Sequence, residues 1–426
     1  MRLELRNIHI KDVQEASKNK IDHNTLYINK DAFIDYLMQD KRIESISVDI
    51  ARPGESVRII PVKDVIEPRA KLEGDAFPGV DGKIEEVGMG ITYVLKGCSV
   101  VTTGPIVGFQ EGIIDMSGPL TEYTPFAHLN NIVLHIDKKQ GIEPHEHEEV
   151  VRLAGIKAAH YIGKLGRNHE EYETEIYNWE SLIEKATKYP KLPKIAYIYL
   201  CMSQGLLHDT YFYGKDSKRM LPCNISPLEG MDGAIVSGNC VSPGSKTTTY
   251  HHQNNAVVKE CFRRHGREIN FIGVVLNPLM ATLNDKYRNS VLTSKLIEMI
   301  GVDGAIISQE GFGNPTTDLM MICKRLSQKG IKTVLISNED AGIDGMSEPL
   351  PDGTMEADAI VSTGNSNATI ELPPMDKVLG DLKTIERVTG GFVGSIHPDE
   401  GVTIEIHGIV GSHNLQGFSK LSAVTK

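Results

Sequence analysis

A cysteine follows an asparagine at the end of a short apolar run, and this pair has the chemistry to cut its own chain. The run is Ala234-Ile235-Val236, followed by Ser237, Gly238, Asn239 and Cys240. The apolar residues predict a buried strand, and Ser237-Gly238 a place where the chain bends. As a thiolate, Cys240 can attack the Asn239 carbonyl and shift the acyl group from nitrogen to sulfur. Alternatively, the Asn239 side-chain amide attacks its own carbonyl, closes a succinimide and releases the amine of Cys240. Both routes break the same bond. Elimination of sulfur from residue 240 leaves dehydroalanine, and hydrolysis of its enamine leaves an N-terminal ketone, a pyruvoyl group. No ordinary side chain provides such an electrophile. The competing reading is plain: a single cysteine at a strand end is more often a small buried hydrophobe.

Beyond Cys240 come a Pro243-Gly244 turn and a polar tract rich in hydroxyls and histidine. His251 and His252 lie in that tract. Either can serve as base in cleavage or as proton donor to a bound amine, or both simply begin a helix leading into Asn255 to Phe262. Cys98 and Cys261 read first as packed thiols. Lys246 and Arg263 are cations that can counter a substrate carboxylate, supported only by nearness in sequence. In Pro144-His145-Glu146-His147-Glu148-Glu149 the two histidines are two apart, so a helix points them to different sides. The acidic residues suit a helix start, and a solvated helix N-terminus is favoured over a metal site. No metal site and no dissociable cofactor are expected.

The elements that must position these groups fall into two styles. Up to about residue 140 the chain reads as short strands, Leu3 to Ile10, Ile46 to Ile50, Ser56 to Ile60, Ile91 to Leu95 and Ile132 to Ile136, with one helix near Asp31 to Gln39. Helical spacing follows over 144 to 164, and a second helix is expected around 170 to 187. Ile195 to Cys201 is a strand. Strands at Phe271 to Leu276, Gly304 to Ser308, Lys332 to Ser337 and Ala359 to Ser362 then alternate with helices at Lys286 to Ile300 and Pro315 to Gln328. The expected fold class is α/β: a β-rich N-terminal region followed by an α/β region with a parallel, Rossmann-like sheet. Three units are expected: residues 1–140, β-rich; 141–239, helical and α/β, ending at the cleavage site; and 240–426, α/β.

Ligands of such sheets sit beyond the carboxyl ends of the strands. Three polar loops occur there, at 309–314, 338–340 and 363–365. In the first, Glu310, Gly311, Gly313 and Asn314 precede Pro315 and a helix whose free N–H groups can hold a substrate anion. The same residues also make an ordinary connection into a helix. Gly311-x-Gly313 lacks the third glycine of a dinucleotide fingerprint, so a nicotinamide cofactor is not indicated.

Composition narrows the function classes. Of 426 residues, 40% are hydrophobic and 24% charged, and the net charge of −11 argues against nucleic-acid or anionic-membrane binding. No apolar run approaches a membrane span, and the start lacks the apolar core of a secretory leader. Six cysteines, at 98, 201, 223, 240, 261 and 323, form no Cys-x-x-Cys pair and no disulfide framework. A cytoplasmic protein is expected.

Several segments carry a family resemblance. They are Arg-Pro-Gly-Glu-Ser-Val-Arg-Ile at 52–59, Val-Lys-Asp-Val-Ile-Glu-Pro-Arg at 62–69, Gly-Cys-Ser-Val-Val-Thr-Thr-Gly at 97–104, and the Gly-Asn-Cys site at 238–240. Through these, and over nearly its whole length, the chain resembles the alpha/beta proprotein of component B of the clostridial glycine, sarcosine and betaine reductases. The resemblance implies cleavage before Cys240 and its conversion to pyruvoyl, giving chains 1–239 and 240–426. It implies an amino-acid substrate held through its amine as a Schiff base. It implies a hetero-oligomer with a selenocysteine-containing subunit of component B, which attacks the activated α carbon and releases ammonia. Selenoprotein A and an acetyl-phosphate-forming component complete the reaction. None of the letters of this chain is selenocysteine, so selenium must come from a partner. Glycine and sarcosine have an N–H and suit an imine or iminium; betaine does not. Three other readings remain open: an amidohydrolase using an N-terminal Cys240, an unprocessed binding subunit, and a pyruvoyl decarboxylase.

Overall fold

The computed structural model describes residues 1–205, 210–238 and 241–416. The chain is mixed α/β, with several sheets of mixed direction. Near the N-terminus, Arg2–His9 runs parallel to Gly90–Lys96 and antiparallel to Glu173–Asn178. A second sheet orders Ile43–Ala51, Asn130–Lys138, Cys98–Thr103 and Asp64–Ile66. In a third, Val57–Val62 lies between Gly112–Asp115 and Lys377–Gly380. The last of these strands comes from the far end of the sequence. One apolar cluster accordingly joins Val57, Ile59 and Val101 to Leu379 and Val410.

The helix Pro144–Gly163 lies across the second sheet. Its close approach needs glycine: a β-carbon on Gly155 would stand 2.6 Å from Thr102 Cγ2. Val150, Val151, Ala154 and Ala158 are buried beneath it, as their spacing predicts. The expected helix over 170 to 187 is not formed. Its first part is the strand Glu173–Asn178, paired from Asn7 back to Arg2. The helix Leu182–Lys188 begins only after Ser181, whose hydroxyl and Glu184 form a capping box. Long-range pairing and a strong cap outweigh the local helix preference of the glutamates.

Among the described residues a six-stranded sheet fills the C-terminal part. Its order is Cys223–Ile225, Asn270–Pro278, Lys194–Cys201, Gly304–Gln309, Lys332–Glu339 and Ile360–Asn365. Every pair is parallel except that of the edge strand Cys223–Ile225. The helices Leu283–Ile300 and Asn314–Ser327 supply the crossovers, and Ile297, Leu319, Ile322 and Leu326 pack against the sheet. The carboxyl ends of Lys194–Cys201 and Gly304–Gln309 lie side by side, Leu200 opposite Gln309. The tract that follows residue 240 is anchored there.

Candidate functional site

Asn239 and Cys240 lie outside the described residues; Gly238 and Val241 flank them. On the upstream side, Ile235–Ser237 is a short strand antiparallel to Thr210–Phe212. Its end is fixed by a buried polar relay. The Ser237 amide donates to Thr249 Oγ1 at 3.0 Å. That hydroxyl donates onward to Asp64 Oδ2 at 2.6 Å, while the Thr249 amide donates to Asp64 Oδ1 at 3.0 Å. Asp64 is buried, and burial raises its pKa above the ordinary carboxyl value against the opposing charge of Lys246.

On the downstream side the tract is held by both ends of the molecule. Gly244 N–H donates to His407 O, and His413 N–H returns to Gly244 O at 3.1 Å. Asn414 Nδ2 donates to Lys246 O at 2.9 Å. Lys246 Nζ reaches back to Lys63 O at 2.5 Å. The Thr247 amide donates to Glu310 Oε1 at 2.9 Å. Thr248 then caps the five-residue helix Thr249–Gln253.

His251 and His252 sit in that helix, both buried. Thr248 N–H donates to His251 Nδ1 at 3.2 Å, and the ring lies 5.1 Å from that of Phe126. His252 Nδ1 pairs with the Tyr199 hydroxyl at 3.2 Å. Burial pushes both imidazoles down to about 3, so both are neutral at ordinary pH. His252 faces a separate apolar cavity beside Tyr199, Met231 and Val258.

Gly238 instead opens on a cavity that leaves about 30 Å³ for the centres of water-sized groups. Its walls carry three cations, Lys63, Arg152 and Lys246, and three carboxyl groups, Asp64, Glu111 and Glu148. Lys63 Nζ donates to Glu111 Oε1 at 3.0 Å, and Arg152 Nε to Glu148 Oε1 at 3.0 Å. The Arg152 guanidinium lies 3.9 Å from the centre of the Tyr211 ring. It also borders an outer cleft lined by Glu149, Leu153 and Gly214. A β-carbon on Gly238 would stand 2.8 Å from Arg152 Cδ and 2.9 Å from Glu148 Oε1. Charged side chains thus close directly onto the backbone one residue before Asn239. Burial of this many charges is expensive unless each is paired, and such concentrations mark functional sites.

The 310–314 loop approaches from the other side. Gly311, at φ +79, lies so close to Val241 that an added β-carbon would stand 2.9 Å from Val241 Cγ2. The Glu310 carboxylate receives Thr247 N–H, Met202 N–H and, at 3.3 Å, the Thr210 hydroxyl. It ties the tract to the sheet. Gly313 precedes the helix Asn314–Ser327, and Asn314 is exposed.

Of the other candidates, Lys246 lines the cavity. Arg263 is exposed and paired with Glu260. Cys98 and Cys261 are buried thiols pushed upward by desolvation, Cys261 to about 12. The start of Pro144–Gly163 is less solvated than its sequence suggests. His145 is exposed, but His147 and Glu148 turn inward. Among the described residues no group of three or more His, Cys, Asp or Glu side chains could hold a metal ion, and no helix is long and apolar enough to cross a membrane.

Sequence reasoning passed over Lys63, Asp64, Glu111 and Arg152, and read Glu148 as part of a solvated helix start. Two signals were present. Lys63 and Asp64 interrupt an apolar strand, and Glu148 and Arg152 stand four apart on the inward face of a helix.

Comparison with known proteins agrees over the full length. Residues 1–424 match the family described as glycine/sarcosine/betaine reductase component B subunits. The glycine reductase complex component B subunits alpha and beta of Peptoclostridium acidaminophilum are 52% identical over 99% of both chains. The protein of the same name from Acetoanaerobium sticklandii is 49% identical over 100% of both. The sarcosine reductase complex component B subunit alpha of P. acidaminophilum is 49% identical over 99% of both. No solved structure matches.

Proposed function

Because the chain belongs to the family of glycine/sarcosine/betaine reductase component B subunits, we propose that it is the self-cleaving, substrate-binding precursor of a glycine reductase component B. Cleavage between Asn239 and Cys240 yields chains 1–239 and 240–426, the second beginning with a pyruvoyl group made from Cys240. Relatives named for two subunits, alpha and beta, on one chain of matching length support a cut of this kind. The mature protein is an oxidoreductase only within a complex. A selenocysteine-containing subunit supplies the nucleophile that displaces ammonia, and selenoprotein A and an acetyl-phosphate-forming component complete the turnover. The complex works in the cytoplasm; the five described cysteines are unpaired thiols, as a reducing compartment requires. The parallel part of the C-terminal sheet serves as its Rossmann-like frame.

The observation that carries this reading is the buried charged cavity opening at Gly238. A ketone at residue 240 would supply an electrophile for the substrate amine and an electron sink for its α carbon. The residues around it suit that task. The Asp64–Thr249–Ser237 relay fixes the backbone before the cut. The Glu310–Thr247 bond fixes the backbone after it. The substrate is glycine or sarcosine, since betaine has no N–H to lose.

Intact mass and carbonyl labelling of protein isolated with its partner subunits test the reading. Two chains, with phenylhydrazine adding to residue 240 and blocking activity, are expected. A free N-terminal Cys240 in active complex would point to an amidohydrolase, and a single uncut chain to a binding subunit.

A further inference from the structure

We propose that the cavity beside Gly238 is the subsite for the substrate's carboxylate, with Lys63 and Arg152 as its ligands and Lys246 as the third cation on its wall. The inference rests on the preceding reading of residue 240, and it assigns the half of the substrate that reading leaves unheld.

Three observations converge. The first is space. A carboxylate places two oxygens side by side, and a water-sized group needs roughly 10–15 Å³ of this kind of volume. The cavity, at about 30 Å³, has room for two. The second is donor supply. Glu111 takes one N–H of Lys63, and Glu148 takes the Nε of Arg152. Two ammonium protons and the terminal guanidinium nitrogens remain, and a guanidinium matches a carboxylate in geometry. The third is charge. The three cations are set against Glu111, Glu148 and Asp64, and burial favours the neutral form of Asp64. Three cations on the wall of one small cavity suit an anionic ligand.

The position fits as well. Gly238 lines the cavity and is two residues from Cys240. In glycine a single carbon separates the amine from the carboxylate, so the two recognition points must be neighbours. Arg152 lines both this cavity and the outer cleft beside Tyr211 and Gly214. The loop at 310–314, the carboxylate site expected from sequence, has its one carboxylate committed to Thr247, Met202 and Thr210. It braces the tract under Val241.

The test compares glycine with glycinamide, which keeps the amine and replaces the anion by a neutral amide. Complex isolated with its partner subunits is treated with borohydride at increasing concentrations of either amine, and the amine trapped on the 240–426 chain is measured by mass. In the unmodified protein glycine should half-saturate well below glycinamide. Lys63→Met and Arg152→Gln should each raise the half-saturating glycine concentration roughly 10- to 100-fold, the range of one charge-assisted hydrogen bond. Trapping of glycinamide should change little, and so should labelling of the ketone by phenylhydrazine. Equal losses for both amines in both variants would overturn the assignment, leaving these cations a purely structural role. Lys63 lies between the strands Val57–Val62 and Asp64–Ile66, outside the tract after residue 240, so it remains informative if Arg152→Gln impairs cleavage. Absence of hydrazone from the unmodified protein would be a different failure, that of the residue-240 ketone itself.

Discussion

Arg152 closes over Gly238 so tightly that the glycine has no room for a β-carbon: it would stand 2.8 Å from Arg152 Cδ. Arg152 is in turn pinned by Glu148 and by the face of Tyr211, so it cannot simply swing aside. Gly238→Ala must therefore push the backbone before Asn239 away from its place. The expected cost is about 1–3 kcal/mol, as for overpacking elsewhere. More tellingly, the substitution should slow or abolish cleavage. The fraction of uncut chain on a denaturing gel measures this directly, and cleavage at the unmodified rate would show that the placement of Gly238 is irrelevant to it.

Cleavage itself should depend on the thiol. Cys240→Ala is expected to leave one uncut chain of 426 residues, where the unmodified protein is expected to give chains of 1–239 and 240–426. Denaturing mass spectrometry reads both outcomes. A Cys240→Ala protein cut at the same bond would favour the Asn239 succinimide route over the acyl shift.

Four parallel strands of the C-terminal sheet, Lys194–Cys201, Asn270–Pro278, Gly304–Gln309 and Lys332–Glu339, were legible because each carries a continuous apolar run, a pattern each segment holds by itself; the edge strand Cys223–Ile225 was not read. Nor was the strand Glu173–Asn178. Its order comes from Arg2–Asn7, more than 160 residues away, and its own glutamates suit a helix equally well. The same distinction holds at the site. Asn239-Cys240 stands out in the sequence because its chemistry is local. Lys63, Glu111 and Arg152 meet only when a strand, a loop and a helix pack together. Charges lodged in otherwise apolar elements were the available clue, and of these only Lys63 and Asp64 had been read, as part of a family pattern.

The relay through Thr249 should govern both folding and processing. Thr249→Val removes the acceptor of the Ser237 amide and the hydroxyl donor to Asp64 together, leaving both of these buried groups short of a partner. Each such loss costs about 1–3 kcal/mol. Thr249→Ser keeps the hydroxyl and should retain cleavage. Denaturant melts and cleavage time courses of the two variants check this pairwise. Equal behaviour of Val and Ser at position 249 would remove the relay from the account.

Acid should weaken the protein through its buried imidazoles. His251, His252 and His413 are held down to about 3, and His147 to about 4, mainly by desolvation. Their native pKa values lie below the unfolded value of about 6.5, so the unfolded chain takes up these protons first. The stability they permit is complete above pH 6.5 and is lost progressively as pH falls toward 3. Each fully buried histidine should cost about 2 kcal/mol between pH 7 and pH 5. The raised carboxyls of Asp64 and Asp318 act in the opposite sense, because the native state protonates them first, Asp318 near 6. The cleanest readout is therefore a difference. His413 packs against Gly244 in the tract after the cut and does not line the cavity. His413→Gln should shrink the loss between pH 7 and pH 5 by about 2 kcal/mol relative to the unmodified protein. Denaturant melts at the two pH values decide it, and an unchanged difference would mean that burial does not shift His413 in the fold.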